Sequence, residues 1–303
     1  MLVSVPASSA NLGSGFDTLA VALPKRLTVA VEEADKLELV SLNQGSDKVF
    51  TQQELENHVV AEVLKRVCGH VNFRVTIDSA IPLARGLGSS AALILGVAQS
   101  AGSDDPLKVA VELEGHADNA VASYVGGLVA AEYSKGKISY SPIDIDARLE
   151  FVLFIPDFEL STKRAREVLP NSYSRQLMSN SLGRLALTVA GLSDLNKLLP
   201  VAFEDLVHQP YREQLYPDSK VVINQMVQCG AVGAVWSGAG PSIVGFCNGN
   251  AELVAKSLID CLKGLKFEYT VEAIKPKLAD DAGTETNIQK FYYNEPTNNY
   301  LSA

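Results

Sequence analysis

The sequence is poor in the residues that would mark an unusual class of protein. Four cysteines in 303 residues (Cys68, Cys229, Cys247 and Cys261), with no C-x-x-C pair, exclude a disulfide framework or a cysteine zinc site and read as buried free thiols. No stretch of 18 apolar residues occurs, and Met1 to Pro6 lacks a basic segment leading into an apolar signal run. A reducing cytoplasm and no membrane partner are therefore expected. Positive charge is scarce, with 26 Lys and Arg against 35 Asp and Glu, a formal −9. That balance opposes binding to nucleic acid or anionic lipid, although a local nest of backbone N–H groups still suits a small anion. Internal repeats and low-complexity tracts are absent.

What remains is an ordinary globular composition, 47% hydrophobic and 20% charged, with 22 Gly and 13 Pro. Its length exceeds the roughly 250 to 300 residues at which a single core stops growing, which predicts two packed lobes. Strands are expected over Leu2–Val5, Leu19–Glu33, Leu37–Leu42 and Val71–Asp78, with a functional loop from Ala7 to Asp17 after the stop at Pro6. Apolar spacing predicts helices over Glu54–Cys68, Ser89–Ala101, Asp105–Leu113 and Asp118–Val125. A second start near Leu149 sets the boundaries at 1–148 for the first lobe, 149–275 for the second and 276–303 for a polar tail at the surface or disordered, from which Phe291–Tyr293 could dock. Within the second lobe Ser172–Leu199 reads as two helices broken near Gly183 or Gly191, and strands fall at Glu150–Ile155, Ala231–Trp236, Ser242–Cys247 and Phe267–Ile274. This mixture of elements is α+β.

Three glycine-rich segments carry the chemistry. Pro82-Leu-Ala-Arg85-Gly86-Leu87-Gly88-Ser89-Ser90-Ala91-Ala92 stands between a strand and a small-residue helix, where free N–H groups and the helix dipole favour an anion such as a phosphate. Ser89 and Ser90 add hydroxyls for a cap, a phosphate or Mg²⁺. A Ser-capped helix after a glycine turn explains the same residues, and the segment lacks the Lys and spacing of a Walker A motif. Asn11-Leu-Gly13-Ser-Gly15-Phe-Asp17 puts an amide and a carboxylate six residues apart, and Trp236-Ser237-Gly238-Ala239-Gly240-Pro241 is a second glycine turn in the other lobe. Together they read as the lining of a cleft.

These segments resemble the three motifs of the GHMP small-molecule kinases. Glu114-Gly-His116-Ala-Asp118-Asn119, Pro156-Asp157-Phe-Glu-Leu-Ser161-Thr162-Lys-x-x-Arg166 and His208-Gln-Pro-Tyr-Arg212 make the chain most similar to the homoserine kinase branch. The resemblance implies a two-lobed GHMP kinase fold, with a βαβ-type nucleotide lobe followed by a ferredoxin-like lobe. It also implies ATP in the Pro82 to Ala92 loop, Mg²⁺ held by Ser90 and Glu114, and L-homoserine as the small-molecule substrate. Relatives often dimerise, which makes a homodimer one candidate assembly.

A zwitterionic alcohol needs an anion clamp, a cation acceptor and a partner for its hydroxyl. Arg166 and Arg212 suit the first role, Asp17 the second, and Asn11, His116, Asn119 and Thr162 complete the polar contacts. Asn119 is the candidate at the reacting hydroxyl and Arg166 the candidate on developing charge. Mevalonate kinases place an Asp where Asn119 aligns, and an amide accepts no proton at neutral pH, so catalysis without a strong protein base is expected. Two alternatives stay open: a GHMP kinase acting on another small alcohol, and a nucleotide-binding regulator that has lost catalysis. Each residue also has a plain reading, Glu114 as a solvated helix carboxylate, Asn11 as a turn holder and each Arg as a surface charge.

Overall fold

The computed structural model of the chain describes residues 1–46 and 48–276, and the backbone alone of 289–292. The first sheet is built from β1 (Leu2–Asn11), β2 (Gly15–Glu33), β3 (Glu38–Asn43), β4 (Phe73–Ser79), β5 (Leu128–Ser134) and β6 (Lys137–Ile143). Its order is β3-β4-β2-β5-β6, with β1 antiparallel to β2. β3 and β4 are parallel, joined through α1 (Gln52–Glu56) and α2 (Val59–Cys68), which makes the βαβ unit of this lobe. Helices α3 (Ser89–Ser100), α4 (Pro106–Glu114) and α5 (Asp118–Val125) follow, and α3 and α5 lie against β1 and β2. Gly96 lets α3 approach β2 closely, since a Cβ there would stand 2.8 Å from Val29 Cγ2.

The second sheet comprises β7 (Leu149–Pro156), β8 (Gly233–Trp236), β9 (Ile243–Asn248), β10 (Tyr269–Ile274) and β11 (Gln289–Tyr292), in the order β11-β10-β7-β9-β8. Without β11 this is an antiparallel four-stranded sheet whose strands run fourth, first, third, second, the ferredoxin-like order. Between β7 and β8 lie α6 (Thr162–Glu167), α7 (Arg175–Ser193), α8 (Gln209–Arg212) and α9 (Ser219–Gln228), and α10 (Ala251–Cys261) precedes β10.

β7 explains how the lobes are held. Its residues alternate, Phe151, Leu153 and Ile155 joining the core of the first lobe while Val152 and Phe154 pack with α9 and α10. The second sheet is thus buried on both faces, and each fully buried Phe contributes about 1.5–3 kcal/mol. An ion pair between Lys25 of β2 and Glu272 of β10, 2.8 Å long with side chains 5% and 3% exposed, ties the sheets across that shared core.

The structure corrects several expectations. β1 does not stop at Pro6 but continues to Asn11 through a bulge between Pro6 and Ala7, where the missing N–H of proline costs little. Most of the expected Ala7 to Asp17 loop is therefore the end of one strand, a three-residue turn and the start of the next. The helix expected over Glu54–Cys68 is two, because His58 caps α2 with its Nδ1 accepting from Val60 N–H at 3.3 Å. The two helices expected over Ser172–Leu199 are the single α7 followed by a 3₁₀ turn at Leu195–Lys197, since an isolated glycine costs a helix only about 1 kcal/mol. α6, α8 and β6 are among the elements beyond those expected from the apolar spacing. Only Cys247 is buried; Cys68 and Cys229 are half-buried and Cys261 is exposed. Part of the expected polar tail forms β11, with Phe291 opposite Val271, whereas Tyr293 lies outside the described residues. Among the described residues no helix is long and apolar enough to cross a membrane.

Candidate active site

The glycine segments meet in a cleft of ≈ 230 Å³ whose walls come from both lobes. One wall is the loop entering α3. Gly86 and Gly88 have φ of +72° and +67°, and a Cβ would stand 2.1 Å from Ser237 O at Gly86 and 2.2 Å from Ser8 Oγ at Gly88. Only glycine fits either place. Gly88 is the N-cap of α3 and supplies no side-chain cap, so neither Ser89 nor Ser90 caps the helix. The first N–H groups of α3 are left facing the cleft at the positive end of the helix dipole.

The loop is pinned from the second lobe. Ser237 Oγ donates to Gly86 O at 2.6 Å, and Arg85 donates to Pro156 O at 2.8 Å, to Leu83 O at 2.8 Å and to Asp157 O. Arg85 therefore straps the lobes together instead of reaching the cleft. Pro82 and Ala92 also lie away from it, Ala92 in the core, while Gly86, Leu87, Gly88, Ser89, Ser90 and Ala91 line it.

At the start of α3 Ser90 meets Glu114, the last residue of α4, Ser90 Oγ donating to Glu114 Oε1 at 2.5 Å. Asn119 is aimed by a relay of hydroxyls that local spacing does not reveal: Ser123 Oγ donates to Ser8 Oγ at 3.0 Å, and Ser8 Oγ donates to Asn119 Oδ1 at 2.9 Å. With its carbonyl so held, Asn119 turns its NH₂ toward the cleft. Asp118, 1% exposed, accepts from Asn119 N–H at 2.8 Å and stands 2.6 Å from His116 Nδ1. Burial opposes a charged His116, but the hydrogen bond and charge of Asp118, with Asp17 and Glu114 beyond, raise its pKa on balance.

The third wall belongs to the β1–β2 turn. Asn11, Leu12 and Asp17 all have left-handed backbone, rare for residues with a Cβ. This places Asn11 Oδ1 to accept from Asp17 N–H at 3.1 Å, while Asn11 Nδ2 donates to Gly238 O at 2.8 Å. Arg166 donates to both Asp17 oxygens, at 2.8 and 3.0 Å. The cation acceptor and anion clamp expected to act separately are thus one fork-to-fork pair. Thr162, at the start of α6, sits on the rim.

Arg212 is 2% exposed and donates to Ala165 O at 3.0 Å, to Gly238 O at 2.9 Å and to His208 Nδ1 at 3.1 Å. A guanidinium only donates, so His208 carries its proton on Nε2 and gives it to Gly13 O at 3.0 Å. Burial, followed by the neighbouring charge of Arg166, lowers Arg212 to a pKa of about 10. Both guanidiniums lie over the ring of Phe16, at 5.6 Å for Arg166 and 5.5 Å for Arg212. Phe16, Ser8, Ser123 and Ser237 leave no signal in the spacing because their roles are contacts across the fold.

A divalent ion finds two kinds of donor here. Ser90 and Glu114 offer adjacent hard oxygens, which fits Mg²⁺. Asp17, His116 and Asp118 also bring ligand atoms within 4.8 Å of one another, but Asp17 is taken by Arg166 and Asp118 by His116 and the Asn119 N–H. A second, more apolar cavity of ≈ 260 Å³ adjoins the first through Ser89 and Ser90 and is lined by Leu27, Leu39, Phe50, His58 and Leu93 among others.

Comparison with known proteins agrees with this geometry. The GHMP kinases N terminal domain family matches residues 57–127, and the GHMP kinases C terminal family matches residues 186–263. A homoserine kinase of Caldicellulosiruptor saccharolyticus is 38% identical, the match covering 95% of this chain and 97% of that protein. One from Deinococcus radiodurans is 38% identical over 80% of this chain and 83% of its own. In fold the chain is similar to a crystal structure of homoserine kinase from Cytophaga hutchinsonii, with a TM-score of 0.78, 23% identity and 96% and 97% of the two chains covered. By these relationships the chain belongs to the homoserine kinase family of the GHMP kinases.

Proposed function

We propose that the protein transfers the γ-phosphoryl group of ATP to the side-chain hydroxyl of L-homoserine, giving O-phospho-L-homoserine and ADP. The observation that carries this reading is the uncapped N-terminus of α3 opening into the same cleft as Asn119 and the Asp17–Arg166 pair. Phosphoryl transfer asks a protein mainly for positioning and charge neutralisation. The N–H groups of the loop and of α3 supply donors for phosphate oxygens. The adjoining apolar cavity suits a purine base, with His58, kept neutral by burial, and Phe50 on its wall. Mg²⁺, when bound, neutralises charge on the phosphates, and Ser90 and Glu114 are the residues that would hold it.

The substrate end follows from the polar inventory. A carboxylate has about four lone-pair sites and a guanidinium five N–H donors, so the Asp17–Arg166 fork leaves both partners capacity for a ligand. Asp17 then accepts from the substrate ammonium, Arg166 and the remaining Nη of Arg212 donate to its carboxylate, and Asn119 donates to the reacting hydroxyl. His116, Asn11 and Thr162 complete the wall. The nearby carboxylates are each engaged, Asp17 with Arg166, Asp118 with His116 and Glu114 with Ser90. The hydroxyl proton accordingly leaves with a phosphate oxygen or to solvent, while Arg166 and the loop dipoles stabilise the developing charge.

Coupled ADP release with MgATP tests the reading, with L-homoserine run beside D-homoserine, L-serine, L-threonine and mevalonate. Turnover confined to L-homoserine is expected. Preference for mevalonate would make the chain a kinase of another alcohol, and ATP binding without turnover on any acceptor would make it a regulator.

A further inference from the structure

Outside the residues that line the cleft, at the ends of two helices of the second lobe, two thiols face each other. Cys229 follows the last turn of α9 and Cys261 ends α10, and their sulfurs are 3.7 Å apart although the residues are separated by 32 positions. Cys261 is exposed and Cys229 half-buried, whereas Cys247 is buried. A disulfide has its sulfurs at about 2.05 Å, so closure asks the two sulfurs to approach by less than about 2 Å from their present 3.7 Å. We propose that Cys229 and Cys261 form a reversible intramolecular disulfide when the protein meets a low-molecular-weight disulfide such as oxidised glutathione.

The exchange balances in two steps. The Cys261 thiolate attacks the small disulfide, forming a mixed disulfide and releasing one small thiolate. The Cys229 thiolate then attacks the Cys261 sulfur, releasing the second. Both protein thiol protons end on the released thiols, the protein is oxidised by two electrons and the small disulfide is reduced. Cys261 is the exposed thiol, and burial with the neighbouring sulfur pushes the half-buried Cys229 up to about 11, which assigns the first attack to Cys261. The ring so formed encloses β8, the Ser237–Pro241 turn and β9. Gly238 of that turn accepts from both Asn11 and Arg212, so the cross-link fastens the segment that carries one wall of the cleft.

The full-length protein is incubated with oxidised glutathione and followed by intact mass, thiol alkylation and peptide mapping. The expected result is loss of two hydrogen masses, protection of two thiols, a Cys229–Cys261 peptide, and a Tm higher by about 5 °C that reverts with dithiothreitol. Cys229→Ser should stop at a mixed disulfide on Cys261. A mixed disulfide that persists in the unsubstituted protein, a bond involving Cys68 or Cys247, a bond between two chains, or no reaction would each overturn the proposal.

Discussion

Asp17 and Arg166, 149 positions apart in the chain, are joined by two parallel hydrogen bonds of 2.8 and 3.0 Å at the mouth of the cleft. Their side chains are 31% and 38% exposed, so as a salt bridge the pair adds little to stability. In the function proposed above, its value is a fixed pair of opposite charges for a zwitterion. Asp17→Asn keeps the shape and removes one charge; the KM for homoserine should rise about tenfold with the KM for ATP little changed. Steady-state kinetics in both substrates check this, and an equal rise in both would remove Asp17 from the substrate site.

The hydroxyl relay from Ser123 through Ser8 fixes the Asn119 amide, and breaking it tests positioning without touching substrate. Ser8→Ala leaves Asn119 Oδ1 without its donor, and kcat should fall about tenfold while KM for ATP holds. Ser123→Ala, one bond further away, should do less. A larger loss at Ser123 would contradict the relay.

Much of this is legible in the sequence. The strand-to-helix glycine segment announces itself by local spacing, because a helix N-terminus is a short-range feature, whereas Glu114 and Asn119 stand out only through the family resemblance. The partnerships are not legible. Arg85 looks like a phosphate ligand beside Gly86 and is instead a strap onto Pro156 and Asp157, and Asp17 and Arg166 look independent because 149 residues separate them. Pro6 misleads for a local reason, since its bulge hides the continuity of β1.

Gly88 and Gly69 share a left-handed backbone, φ +67° and +79°, but differ in surroundings: a Cβ at Gly88 meets Ser8 Oγ at 2.2 Å and one at Gly69 meets nothing within 4 Å. Gly69→Ala should therefore cost only backbone strain, about 1 kcal/mol. Gly88→Ala should lower the Tm further and abolish ATP binding. Thermal unfolding with and without ATP separates the two.

His208 sets a pH limit. Its burial, opposed by Asp205 and assisted by Arg212, lowers its pKa to about 4, against about 6.5 in the unfolded chain. The unfolded state binds more protons in that interval, so His208 leaves stability unaffected above the unfolded value and withdraws it as pH falls from about 6.5 to about 4. The Tm of the free protein should decline across that window, and His208→Gln should flatten the decline.

Phosphoryl transfer to the homoserine hydroxyl is tested most directly with L-homoserine carrying ¹⁸O in its side chain, mixed with MgATP and the protein and analysed by mass spectrometry and ³¹P NMR. The expected product is O-phospho-L-homoserine with the label retained in the bridging P–O–C oxygen, as attack of the hydroxyl on phosphorus requires. Loss of the label, or ATP consumption that leaves homoserine unphosphorylated, would contradict the assignment of this cleft.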